Sequence, residues 1–200
     1  MPNKPLNRDE RKQKTKKQLL DKATEMFAEQ GFHNTSLNKI ATSLGYTKGA
    51  IYTHFKSKQE LFLAVFQQQQ KDDIETISEF VNQYPLILDF IYAMESHHKF
   101  ERENNQVWSI LRLEFLLQAL REDELRIKLS KIVEQSRIQI ANLLEHYAKT
   151  GQLSNLEVSL SELAFLIVSL DIGLGIQYYI DTESLSDDIY AKGLKGLLNY

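Results

Sequence analysis

Residues 35–58 run Thr35-Ser-Leu-Asn-Lys-Ile-Ala-Thr-Ser-Leu-Gly-Tyr-Thr-Lys-Gly-Ala-Ile-Tyr-Thr-His-Phe-Lys-Ser-Lys58, and the rest of the chain is organised around them. Leu37, Ile40, Ala41 and Leu44 recur at helical spacing and give a first short helix one apolar face. Thr35 or Ser36 offers the side-chain oxygen that the first N–H groups of that helix need. Gly45 follows at the point where the chain must turn, and a left-handed backbone suits glycine. Thr47 stands ready to cap a second helix in which Ile51 and Phe55 face inward. Lys48, Gly49, Ala50, Tyr52, Thr53 and His54 then face outward. A small, basic, hydrogen-bonding face is what a helix entering a DNA major groove requires. The pattern, over about 35–54, predicts a helix-turn-helix.

Two hundred residues with 42% hydrophobic and 26% charged side chains and only three prolines describe a globular, helical chain. The absence of cysteine excludes disulfides, thiolate metal sites and cysteine nucleophiles, and fits a reducing cytosol. The polar N-terminus has no apolar core segment of a secretory signal. The most apolar run, 163–170, is too short to span a bilayer and is followed by Asp171. The expectation is a soluble cytoplasmic protein with no membrane partner. The small net charge of −3 hides an asymmetry: residues 1–60 hold 12 Lys and Arg against 6 Asp and Glu, the remainder 12 against 21. A basic head on an acidic body puts the polyanion-binding surface at the helix-turn-helix.

Taken in order, residues 1–14 suggest a flexible basic arm, in which Arg8, Arg11 and Lys12 could reach along phosphates or into a minor groove; a frayed terminus is the plain alternative. A helix over 15–30 points Leu19, Ala23, Met26 and Phe27 to a core, Gly31 ends it, and Phe32 packs back under the turn. This closes a head over 15–58. Ser57 caps the next helix, which places Lys58 in a first turn where a cation opposes the helix dipole; a DNA phosphate there would compensate. Gln67 to Gln70 are an exposed link, and Tyr84-Pro85 is a break. Helices follow over 86–103, 105–120, 123–149 and 156–180, with a last short one from Ser184. The fold class is therefore all-α: a three-helix DNA-binding head on a larger helical bundle, 59–200.

The segment Ala23-Thr-Glu-Met-Phe-Ala-Glu-Gln-Gly-Phe-His-Asn-Thr-Ser-Leu, then Ile40-Ala41, then Gly45 through Leu61, closely resembles the TetR family of bacterial transcriptional repressors, over about residues 15–66. The stretch from Trp108 to Leu125 and the glycine-bearing Asp171-Ile-Gly-Leu-Gly are more loosely similar to the family's C-terminal half. The resemblance implies a homodimer, paired through about 156–200, whose heads bind a palindromic double-stranded DNA operator and which a small-molecule effector of unknown identity releases. It implies phosphate contacts from Thr35, Ser36, Thr47, Tyr52, His54 and Lys58, with Lys48, Gly49, Ala50 and Thr53 nearest base edges. Lysine donates to guanine O6 and N7, and alanine or a threonine methyl can touch thymine.

Plainer readings compete with these. Phe55 is a core aromatic, and His54 has no second ligand at i+3 or i+4 that would make it a metal site. His97 and His98 point to different sides of a helix. Gly173-Leu-Gly175 follows no strand, so close helix packing at a dimer seam explains it better than a nucleotide loop. Asp171, amid leucines and isoleucines, needs a basic partner or a cationic ligand. Tyr92, Trp108, Arg112, Phe115 and Tyr178 suit a mostly apolar pocket, as does Asp171, but the aromatics suit a core equally. No nucleophile–base pair, metal set or phosphate loop appears, so an enzyme is not expected and no cofactor is called for. The main rival is a ligand-independent DNA-binding regulator whose body serves only dimerisation.

Overall fold

A computed structural model describes residues 7–181 and 186–200, and every regular element among them is a helix. In order these are α1 (Arg8–Asn34), α2 (Leu37–Ser43), α3 (Lys48–Tyr52), α4 (Lys58–Gln83), α5 (Ile87–Asn104), α6 (Gln106–Arg121), α7 (Asp123–Lys149), α8 (Leu160–Ile180) and α9 (Ile189–Leu198). The chain forms two compact units. One comprises the chain up to Gln68 together with Ile110–Lys128; the other comprises Gln69–Ser109 and Leu129–Tyr200.

In the first unit the helical start differs from the arm expected over 1–14. Helix begins at Arg8, because Asn7 Oδ1 accepts from Glu10 N–H (2.8 Å) while the Glu10 carboxylate accepts from Asn7 N–H (2.7 Å). Such a reciprocal cap satisfies two otherwise orphaned donors; residues 1–6 lie outside the described residues. Gly31 breaks α1 with φ +76° and ψ 162°, a region open essentially to glycine. The break frees the Phe32 N–H, and Glu114 Oε2 of α6 accepts it at 2.8 Å. Phe32 turns in as expected and joins Phe27, Phe62, Phe66 and Phe115, with ring centroids 4.6–5.7 Å apart. These rings explain why 59–68 and 110–128 cluster with the head rather than with the body, where the sequence boundary at 58 would put them.

The second unit is built on Ile87, Phe90, Ile91, Leu144, Tyr147, Leu163, Ala164 and Leu194. The break at Tyr84-Pro85 is pinned by Tyr147, whose hydroxyl donates to Tyr84 O (2.5 Å), and by Gln152, which bonds both Ile87 N–H and Pro85 O. Helix α8 starts at Leu160, four residues later than expected, because Ser159 and Glu162 form its capping box. With 21 residues and a mean hydropathy of 1.7 over its best window, α8 is long and apolar enough to cross a membrane by length and composition, a test that a core helix passes equally. A Cβ on Gly193 of α9 would meet Leu170 of α8 at 2.8 Å, whereas Gly173 has open space beside it. Ser184, expected to begin the last helix, lies outside the described residues, and α9 begins at Ile189.

Candidate nucleic-acid interface

Ser36, not Thr35, caps α2: its Oγ accepts from Lys39 N–H at 3.2 Å. Leu37, Ile40 and Ala41 go to the core. The helix ends with Tyr46 N–H on Ala41 O (2.8 Å) and Gly45 N–H on Thr42 O (3.0 Å), with Gly45 at φ +73°. These two bonds and the left-handed glycine make a Schellman ending, and it turns the chain sharply into α3. Tyr46 then fastens the turn to α1, its hydroxyl donating to Gln18 Oε1 at 2.7 Å. Thr47 occupies the N-cap position of α3, yet its side chain makes no capping bond. Past Tyr52 the backbone winds on for one more turn, with His54 and Phe55 N–H both on Ile51 O. Ile51 and Phe55 are buried beneath.

The turn brings most of the expected DNA-contacting residues to one solvent-facing stretch. Ser36, Thr47, Lys48, Gly49, Tyr52 and Thr53 are exposed, and Ala50 and His54 are half-buried. Burial holds the His54 imidazole below its ordinary pKa, and the charges of Lys12 and Lys16 on α1 push it the same way.

Two expected phosphate contacts are corrected. Thr35 is 1% exposed, and its hydroxyl donates inward to Met26 O (3.1 Å) and Gly31 O (3.0 Å), bracing the broken end of α1. Lys58 has also turned inward. Its Nζ donates to Phe32 O (2.7 Å) and His33 O (3.3 Å) and lies 4.3 Å from the Phe32 ring centroid. The compensation for a lysine in the first turn of α4 is thus the negative end of α1. Burial lowers its pKa accordingly.

The six candidate ligand contacts are divided between the units, Arg112 and Phe115 in the first and Tyr92, Trp108, Asp171 and Tyr178 in the second. Phe115 is a core ring against Phe62 and Phe66, and Trp108 is buried. Arg112 is half-buried. Tyr92 is 54% exposed beside a surface groove of about 590 Å³ that Phe80, Tyr84, Asp89 and His97 help to line, and Lys195 Nζ sits 4.4 Å from its ring centroid. Asp171 Oδ1 lies 3.7 Å from Nε2 of buried His98, so its basic neighbour belongs to the same chain. The Tyr178 ring carries the Arg102 guanidinium at 4.8 Å. Residues that sequence reasoning passed over do much of the positioning. Tyr46 and Gln18 hold the turn, and Glu114 rescues the Phe32 N–H from 82 residues away.

Residues 19–65 match the family described as bacterial regulatory proteins, tetR family. Over that stretch the chain is similar to the TetR family. The chain is 38% identical over 73 residues to the HTH-type transcriptional regulator AcrR of Shigella flexneri, a match covering 36% of this chain and 34% of AcrR. It is 30% identical over 81 residues to the fatty acid metabolism regulator protein of Bacillus subtilis, covering 40% of this chain and 42% of that one. The matched stretch thus spans about a third to two fifths of these relatives. Over the whole length the fold is that of Salmonella enterica GusR, with a TM-score of 0.73, 19% identity, and 94% and 96% of the two chains covered.

Proposed function

We propose that this chain is a homodimeric transcriptional repressor that binds a palindromic operator and is released by a small-molecule effector. The observation that carries the reading is the Schellman turn between Ser36-capped α2 and α3, with Ile51 and Phe55 buried and Lys48, Gly49, Tyr52 and Thr53 exposed. Lys48, Gly49, Ala50 and Thr53 lie nearest base edges, and Ser36, Thr47, Tyr52 and His54 contact phosphates, which position rather than specify. Dimerisation uses α8 and α9; Phe165, Leu166 and Ile180 leave large apolar surface on α8 in the single chain. Two recognition helices about 34 Å apart would meet half-sites one DNA turn apart. An effector that prefers a different separation shifts the population away from DNA by its difference in affinity for the two states. Such a repressor works in the bacterial cytoplasm.

The burial of Phe115 among Phe62 and Phe66 favours a second reading, a ligand-independent regulator whose body only dimerises. The test is binding of the full chain to DNA flanking its own gene at two salt concentrations, beside Lys48→Ala. Tight binding that falls steeply with salt and loses sequence preference in the variant supports the repressor. Absence of DNA binding even at low salt overturns it. Release by an added metabolite extract separates the effector-responsive reading from the ligand-independent one.

A further inference from the structure

The helical start of α1 changes what its basic residues can do. Arg8, Lys12 and Lys16 follow at four-residue spacing, so a rigid helix holds them along one face. Like charges at that spacing repel. None of the three has an ion-pair partner among the described residues, whereas Lys22 is bonded to Glu25 at 2.6 Å. Lys16, the last of them, lies beside the turn that follows α3. Lys16 Nζ is 6.0 Å from the Phe55 ring centroid, and the His54 ring is 6.4 Å from that same ring. Both lysines also act on His54 electrostatically. The position therefore concentrates cationic groups from α1 beside the helix that presents Lys48.

We propose that Lys12, Lys16 and His54 together grip one DNA backbone phosphate beside α3, and that each chain takes up a proton at His54 when it binds. This rests on the DNA-binding reading above. In the DNA-free protein burial, and then the charges of the two lysines, disfavour the imidazolium. A phosphate placed among them reverses the balance: its negative charge outweighs the lysines, and the imidazolium becomes the better donor. The proton comes from solvent, and no bond other than N–H is formed. Linkage then requires reciprocity, so a group protonated more readily in the complex makes the complex tighter at lower pH. Affinity rises as pH falls through the imidazole's value in the complex and levels off below its value in the free chain. The slope is at most about tenfold per pH unit per chain.

The experiment uses the full chain and a duplex selected with it from a random-sequence pool, titrated at pH 6, 7 and 8 at constant ionic strength. Calorimetry in two buffers of different ionisation heat counts the protons. The expected result is several-fold tighter binding at pH 6 than at pH 8, with proton uptake at pH 7. His54→Gln removes both the pH dependence and the uptake, whatever its affinity at pH 8, and His146→Gln retains them. Lys12→Gln with Lys16→Gln lowers the salt slope by about 1 per chain and raises the midpoint of the His54 ring signal in the DNA-free chain, followed by NMR. Sequence-specific binding with the same pH profile in His54→Gln overturns the proton linkage while leaving the DNA reading intact. A chain that selects no sequence at any pH overturns the DNA reading itself, and the proposal with it.

Discussion

Helices α3 and α8 both leave a face in solvent, but the faces are chemically opposite. On α3 the exposed residues are Lys48, Gly49 and Tyr52, followed by Thr53, which are small or hydrogen-bonding. On α8 large apolar side chains are exposed, Phe165 at 54%, Leu166 at 37% and Ile180 at 75%, beside the polar Ser161, Glu162, Ser169 and Gln177. Each helix keeps an apolar side packed, through Ile51 on α3 and Leu163, Ala164 and Ile167 on α8. The contrast teaches that an exposed face announces its partner by what it lacks. Polar groups on α3 suit a polyanion's acceptors, whereas the apolar side chains on α8 suit another apolar surface.

The largest effect should come from breaking the second half of that contrast. Phe165→Glu with Leu166→Glu removes two large apolar side chains from the proposed seam, each worth ~1.5–3 kcal/mol when buried. Sedimentation should show a dimer becoming a monomer, and affinity for a palindromic site should collapse with it. An unchanged dimer would place the interface elsewhere.

Lys48→Ala tests the first half. It should lose ~1–3 kcal/mol of discrimination at one base position, measured by competition against single-base operator variants, with no change in sedimentation. A uniform loss across sequences would instead make Lys48 a phosphate contact.

Thr35→Val and Lys58→Met sharpen the border between contact and scaffold. The Thr35 hydroxyl and the Lys58 ammonium each donate to two main-chain carbonyls. Losing either should lower stability by ~1–3 kcal/mol in urea unfolding while the salt slope of DNA binding stays put. A slope reduced by about one phosphate would restore them to the interface.

That border shows how far the sequence was legible. The helix-turn-helix could be read because its signals are local: Ser36 three residues before Lys39, Gly45 after Leu44, Ile51 and Phe55 one turn apart. The same locality put the end of α7 and the break before Pro85 in place, and the Ser159-to-Glu162 spacing, though passed over, was equally available. Thr35 and Lys58 misled because each had a plausible local role, cap or phosphate ligand, and a stronger distant one. Lys58 finds its acceptors 25 and 26 residues back, and no periodicity encodes that. The division into units is non-local for the same reason: Phe115 and Glu114 join the head through contacts that exist only once the chain has folded.

Glu95 on α5 gives the smallest effect and tests whether polar groups packed beneath α8 and α9 are there for stability. One carboxylate oxygen accepts from Ala191 N–H at 2.5 Å, in the first turn of α9; the other has no hydrogen-bond partner among the described residues. Burial raises the carboxyl pKa, and Asp187 and Asp188 add to the rise, against the lowering from the Ala191 N–H and Arg102. An acid whose folded pKa is raised favours the folded state while protonated. Its contribution is therefore complete below the ordinary glutamate range and is lost as pH climbs through the raised value. Glu95→Gln keeps an oxygen for the Ala191 N–H and removes the buried charge. The variant should match the wild type in urea midpoint at pH 4 and exceed it slightly at pH 7. A variant less stable at pH 7 would mean that the negative charge at the N-terminus of α9 outweighs the burial, and that this polar stripe stabilises the very helices that α8 exposes.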